Sequence, residues 1–296
     1  MMDILFVGFL LFRGAGPGSE SGFPYHVLPL AGGPVVSHRL PDPGELVFLR
    51  ADAQGRGVIG MRHFGQPRQT LVEAGLQGTQ THELGHVQGF ALYYPALSPD
   101  RTRVVALIAP GRTDLPPSGF REAHLVVFPN RGAGHPAAGP GALSGFQVLA
   151  TGLPVVPPDW SADGQQVFFV TRDPGEEHVA VVNLRDGSKQ IVAPGVLPKA
   201  SPDGRSLAFV QGRKVVVVSA GNFQPRHAVQ TEWSIGWLAW SPNGGGLAVS
   251  ETGPVYRSRL SILDAQKGSL HRLFESGPMK DLCWVSQKPN WPAHPN

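Results

Sequence analysis

The chain is 296 residues long with a formal net charge of +3, only 16% charged residues, 38 glycines and 29 prolines. That charge is small for the length. The lysines and arginines are scattered, with no basic run and no interleaved aromatics, which argues against a nucleic-acid partner. The single cysteine, Cys283, excludes an intrachain disulfide and a multi-cysteine zinc site. The glycine and proline follow no collagen period. With 41% hydrophobic residues in short regular runs, they point to many short strands joined by tight turns.

In chain order, the first element is the apolar run Ile4–Phe12. No basic residue stands in Met1-Met2-Asp3 ahead of it, no A-x-A-like site follows it, and nine apolar residues are too few to span a bilayer as a helix. It is read as a strand of the fold, consistent with a cytoplasmic protein and no membrane insertion; as a leader it would make the protein exported. Strand-like runs follow at Phe23–Leu30 and Val35–Leu40. A weak turn phrase, Leu40-Pro41-Asp42-Pro43-Gly44, leads into Glu45–Leu49, and Gln69–Ala74 reads as an outer strand. The inner strand Phe90–Leu97 then opens a series of related units.

Those units carry a recurring phrase: Leu97-Ser98-Pro99-Asp100, Trp160-Ser161-Ala162-Asp163-Gly164, Ala200-Ser201-Pro202-Asp203-Gly204 and Trp240-Ser241-Pro242-Asn243-Gly244. Counting a degenerate copy at Ser286, successive serines are 63, 40, 40 and 45 residues apart, near the length of a four-stranded propeller blade. Ser, Pro, Asp or Asn, then Gly suits a type I turn that continues into a residue of positive φ, a tight hairpin between antiparallel strands. Each phrase precedes an apolar run, such as Val167–Val170 or Leu207–Val210, and two further strand-like runs follow. The 63-residue unit holds two insertions, Pro110–Arg121 and Pro129–Gly145.

The phrases at 97–100, 160–164, 200–204 and 240–244, each with its following strand, resemble the WD40-like PD40 repeat of TolB-type β-propellers. Arg101, where the turn glycine belongs, and Ser286-Gln287-Lys288-Pro289 depart from the pattern. The resemblance implies an all-β, six-bladed propeller of four-stranded antiparallel blades, acting as a binding scaffold. Its blades are expected near 1–40 with 279–286, 41–75, 90–152, 154–194, 196–231 and 234–276, followed by a polar tail at 291–296. One inner strand from the C-terminus and three strands from the N-terminus would share one blade and close the ring.

Candidate chemistry is sparse. His82-Glu83-Leu84-Gly85-His86 has the H-E-x-x-H form of a zinc peptidase, in which a helix sets two imidazoles on one metal ion and Glu83 activates its water. It resembles the metzincin motif, but Leu92 occupies the third-ligand position and Gly75, Gly78, Gly85 and Gly89 make a poor helix. The alternative reading is a polar connection between the outer strand Gln69–Ala74 and Phe90–Leu97. Asp100, Asp163 and Asp203 are expected to bind local backbone in their turns, and Trp160, Trp240 and Trp284 to pack between blades. No G-x-S-x-G elbow, P-loop or dinucleotide glycine motif occurs. The sequence thus favours a monomeric, non-catalytic propeller without a cofactor that binds a protein or peptide, with a zinc-dependent hydrolase on His82 and His86 as the alternative. The face carrying the blade-to-blade connections is the expected docking surface, with Trp233, Trp237, Arg112 and Phe120 as candidates. A third option is a lyase using His26, His38 and His63 in the channel.

Overall fold

The computed structural model describes residues 9–14, 25–31, 35–38, 46–66, 68–77, 81–110, 122–130, 142–173 and 175–290. The first strands are β1 (Phe9–Gly14), β2 (Tyr25–Pro29) and β3 (Val36–His38). A second group comprises β4 (Val47–Ala51), β5 (Gly57–Arg62), β6 (Arg68–Gly75) and β7 (Thr81–Gln88), and a third β8 (Phe90–Leu97), β9 (Arg103–Pro110), β10 (Ala123–Pro129) and β11 (Gln147–Leu153). Next come β12 (Asp159–Trp160), β13 (Gln166–Asp173), β14 (Glu176–Asn183) and β15 (Lys189–Pro194), then β16 (Val196–Ala200), β17 (Ser206–Gln211), β18 (Lys214–Ser219) and β19 (Pro225–Gln230). The last are β20 (Ser234–Trp240), β21 (Gly246–Thr252), β22 (Ser258–Asp264), β23 (Leu270–Ser276) and β24 (Met279–Val285).

Among the described residues these strands form six four-stranded antiparallel sheets, the first in the order β24-β1-β2-β3. Strands from both ends of the chain therefore share one blade, and Leu10 sits opposite Trp284 in its ladder. The innermost strands β24, β4, β8, β12, β16 and β20 contact one another in turn, and β20 returns to β24. The result is a closed six-bladed propeller. The described part of Ile4–Phe12 is strand from Phe9 onward; residues 4–8 lie outside the described residues.

Packing explains why the inner strands read as unbroken apolar runs. Each blade is covered on both faces, so alternate side chains enter different cores. Leu10 and Phe12 pack with Ala248 and Leu260 of the sixth blade, whereas Leu11 packs with Leu49 and Val58 of the second. Each such fully buried side chain contributes roughly 1.5–3 kcal/mol of transfer free energy. Tyr25 adds a polar clasp between the first two blades: its hydroxyl donates to the Leu46 carbonyl (2.7 Å) and accepts from the Leu46 amide (3.1 Å).

The hairpins follow one bonding scheme. Ser161, Ser201 and Ser241 each pair by backbone with the residue five positions on, and the glycine three positions on donates back to the serine carbonyl. The serine hydroxyl accepts the same distal amide and donates to Asp163, Asp203 or the Asn243 oxygen at 2.6–2.7 Å. These acidic side chains also accept the Gln165 and Arg205 amides at 3.0 Å, a local structural task. Arg101 takes the glycine place at φ 61°, an unfavourable conformation for a residue with a Cβ, and its guanidinium binds Asp52 (2.7 Å) and Glu73 of the second blade.

The second blade corrects two expectations. Its hairpin is Asp52-Ala53-Gln54-Gly55-Arg56, in which Asp52 Oδ1 accepts the Arg56 amide (2.9 Å) and Gly55 has φ +64°. Glu45–Leu49 is thus not a second strand behind a turn: Val47 onward is the innermost strand β4, and residues 39–45 lie outside the described residues. This blade also runs to Gln88, past the expected boundary at 75, because the H-E-x-x-H string is itself its outermost strand.

Candidate functional site at the hairpin end of the channel

Register against the second strands makes Ala51, Leu97, Trp160, Ala200, Trp240 and Trp284 equivalent. One residue earlier lies a ring of Arg50, Ala96, Asp159, Lys199, Ala239 and Cys283. All six line one cavity of about 320 Å³, which reaches the hairpin residues Pro99, Pro202 and Pro242.

A second ring lies deeper. Most innermost strands carry a bulge that interrupts their register, and Phe48, Tyr94, Leu197 and Asp281 take φ of 51–58° there. Trp237 holds the equivalent place in β20, after the bulge at Ile235. Tyr94 of the third blade and Trp237 of the sixth meet edge to face with ring centroids 6.1 Å apart, and Phe48 abuts Tyr94 at 4.6 Å. As the third and sixth blades face each other across the axis, this contact bridges the channel. The cavity lies on the hairpin side of this contact.

Its walls carry charge. Arg50 donates to the Pro158 carbonyl (3.0 Å) and forms an ion pair with Asp159 Oδ1, while Asp159 Oδ2 accepts the Ala200 amide (2.9 Å). Both carboxylate oxygens are therefore engaged. Lys199, only 7% exposed, has no hydrogen bond or ion pair from its ammonium among the described residues. Burial, reinforced by the Arg50 guanidinium and only partly offset by Asp159, lowers its pKa from 10.5 to about 7. Cys283 is pushed up to about 12 by burial and then by Asp281, so it stays a neutral thiol rather than a nucleophile. Tyr94, raised to about 12 by burial and by Asp281, is likewise neutral.

The other sequence candidates fall elsewhere. His82, Glu83 and His86 lie on β7, in extended conformation, with Gly85 at φ 152° beside a bulge. Four residues of strand separate two side chains by about 13 Å, far beyond the reach of one zinc ion at ~2 Å from each imidazole. Glu83 lies 3.5 Å from Arg62, and His86 Nδ1 lies 3.4 Å from Arg68. The string is neither a helix nor the connecting loop expected of it. Among the described residues no group of three or more His, Cys, Asp and Glu could hold a metal ion.

His26 is on β2, the third strand of its blade, against Phe12; His38 is on the outermost β3; His63 is exposed between β5 and β6. Among the described residues, no histidine stands on an innermost strand, which corrects their expected place in the channel. Trp233 lies between β19 and β20, with the Arg259 guanidinium 4.1 Å from its ring centre and Glu251 accepting its amide (3.1 Å). Trp237 lies on β20, its ring meeting Tyr94 edge to face. Arg112 and Phe120 lie outside the described residues. The charged ring itself escaped sequence reading, although Arg50, Asp159 and Lys199 each fall two residues before their hairpin's first residue, where the other repeats have Ala96, Ala239 and Cys283.

No protein-family model and no curated protein sequence matches the chain. Solved structures do. TolB from Acinetobacter baumannii superimposes with a TM-score of 0.71 at 12% identity, over 95% of this chain and 67% of that one. A chain of the nidogen/laminin complex gives 0.63 at 12% identity, over 94% and 99%. Oligogalacturonate lyase from Vibrio parahaemolyticus gives 0.56 at 15% identity, over 90% and 74%. At such identities the likeness is one of fold. It agrees with the TolB-like repeats, and the same fold occurs in TolB, in a chain of a protein complex and in a lyase.

Proposed function

We propose that this chain is a non-catalytic binding scaffold whose partner, a protein or peptide, inserts a segment into the hairpin end of the channel. One observation carries the reading: Tyr94 and Trp237 meet across the channel, and a pocket of about 320 Å³ lies on its hairpin side. A pocket of this size takes one or two side chains or a chain end, not a folded domain. A ring whose blades bury one another holds such a pocket in fixed shape, so little ordering free energy is lost on binding. The opposite face offers Trp233, but Arg259 already covers its ring. The nidogen/laminin complex supplies a precedent of fold for a propeller engaged with another protein.

Photo-crosslinking tests this reading. A benzophenone amino acid at Gln54, on the pocket rim, should capture a defined partner in cells, and the same probe at Val255, between β21 and β22 on the far face, should not. Capture from Val255 alone would place the partner on the other face and end the proposal.

A further inference from the structure

We infer that the channel pocket is a carboxylate site, in which the Lys199 ammonium and the outer edge of the Arg50 guanidinium receive an anionic group entering past Pro99, Pro202 and Pro242. The inference rests on reading this pocket as the binding site, and adds the chemistry that it selects. The pairing of the charges is the first reason. Two cations, Arg50 and Lys199, and two carboxylates, Asp159 and Asp52, line the cavity; Asp159 is bound at both oxygens by Arg50 and the Ala200 amide, and Asp52 by the Arg56 amide and the Arg101 guanidinium. Lys199 is more than nine-tenths buried and faces the cavity with no hydrogen bond or ion pair from its ammonium among the described residues, Asp159 acting on it only at longer range. A buried ammonium without a partner is costly, and a chain that keeps one in a cavity has a reason in the cavity's occupant.

Space is the second reason. The ring positions between the charged residues are Ala96, Ala239 and Cys283, whose small side chains leave room beside Lys199. A planar carboxylate matches the guanidinium edge and the ammonium together, and charge-assisted bonds in an enclosed site are the stronger kind. The groups facing Lys199 are Arg50 from β4, Asp159 from β12 and Cys283 from β24, with Asp281 one bulge deeper on β24 beside Tyr94. Lys199 changes charge near neutral pH, and binding an anion favours its protonated form. Affinity should therefore fall as pH rises from 6.5 to 8.5.

The source of the carboxylate is either a free acid or an acidic peptide side chain, and two probes separate them: succinate and the capped peptide Gly-Glu-Glu-Gly. Calorimetry and thermal unfolding would be run against sodium chloride of matched ionic strength, on wild type and on Lys199→Met, which keeps the stem and the Arg50–Asp159 pair. The expected result is binding to wild type by one probe or both, a loss on the order of tenfold or more in Lys199→Met, and unliganded stability of the variant equal to wild type or higher. The tighter probe assigns the source. Lys199→Met binding as well as wild type, or wild type ignoring both probes, would overturn the inference. Should the variant not fold, the pH series on wild type decides, since affinity unchanged between pH 6.5 and 8.5 contradicts the role of Lys199. Carboxylate binding with crosslinks only at Val255 would end the partner reading and leave this site; crosslinks at Gln54 without carboxylate binding would do the reverse.

Discussion

The Trp240 indole donates its Nε1 hydrogen to the Lys199 carbonyl at 2.8 Å, crossing from the sixth blade to the fifth, just as Trp160 donates to the Ala96 carbonyl at 2.9 Å from the fourth blade to the third. The repeated tryptophan is thus a latch between neighbours, and it fixes the backbone of the very residues that line the pocket. Trp240→Phe and Trp160→Phe keep the aromatic packing but leave a buried carbonyl unpaired. Each should cost about 1–3 kcal/mol, seen as a lower urea midpoint at unchanged m-value.

Gly195 joins the fourth blade to the fifth at φ +147°, and a Cβ there would lie 2.7 Å from the Val210 carbonyl oxygen and 2.8 Å from Phe209. Gly195→Ala should destabilise by about 2 kcal/mol or more, through both conformation and clash. Gly212→Ala, at φ +60° with open space around it, should cost only the conformational part, about 1 kcal/mol. Equal losses at the two sites, measured by chemical unfolding, would contradict the tight fit of the blade connection.

His82→Ala and His86→Ala remove side chains from the outer strand of the second blade, not from a metal centre. Each should shift stability by no more than about 0.5 kcal/mol. Elemental analysis of dialysed wild type should find zinc below stoichiometry, and a chelator should leave its unfolding temperature unchanged.

The pH dependence of stability follows from Lys199. Its pKa is about 7 when folded and ordinarily 10.5, so between these values the unfolded chain binds more protons. Stability therefore rises with pH as the buried charge is shed. Cys283 acts oppositely, since its folded pKa of about 12 exceeds its ordinary 9.0 and stability falls as pH rises above 9. The interval from pH 7 to 9 isolates the lysine. Wild type should gain stability across it, and Lys199→Met should lose that gain.

Much of this architecture is legible in the repeats. A phrase with Ser, Pro, Asp and Gly in fixed order dictates a hairpin by local bonding alone, so the third to sixth blades announce themselves. The second blade hides because Asp52 does the work of the serine and only Gly55 keeps its type. The zinc-like string misleads for a related reason: its spacing has meaning only on a helix, whereas here it pairs with β6 as an outermost strand that buries Leu84 and Val87 and exposes His82 and Gln88. The pocket stayed hidden because its charges are contributed singly. Arg50, Asp159 and Lys199 are 109 and 40 residues apart, and only strand register sets them in one ring.

The most direct test of the pocket is the titration of its lysine by nuclear magnetic resonance on protein carrying ¹³C-labelled lysine. One lysine signal should titrate near pH 7, vanish in Lys199→Met, and move to higher pKa when the carboxylate probe is added. If every lysine titrated near 10.5 and none responded to the probe, Lys199 would not be a buried cation awaiting an anion, and the account of the site would be wrong.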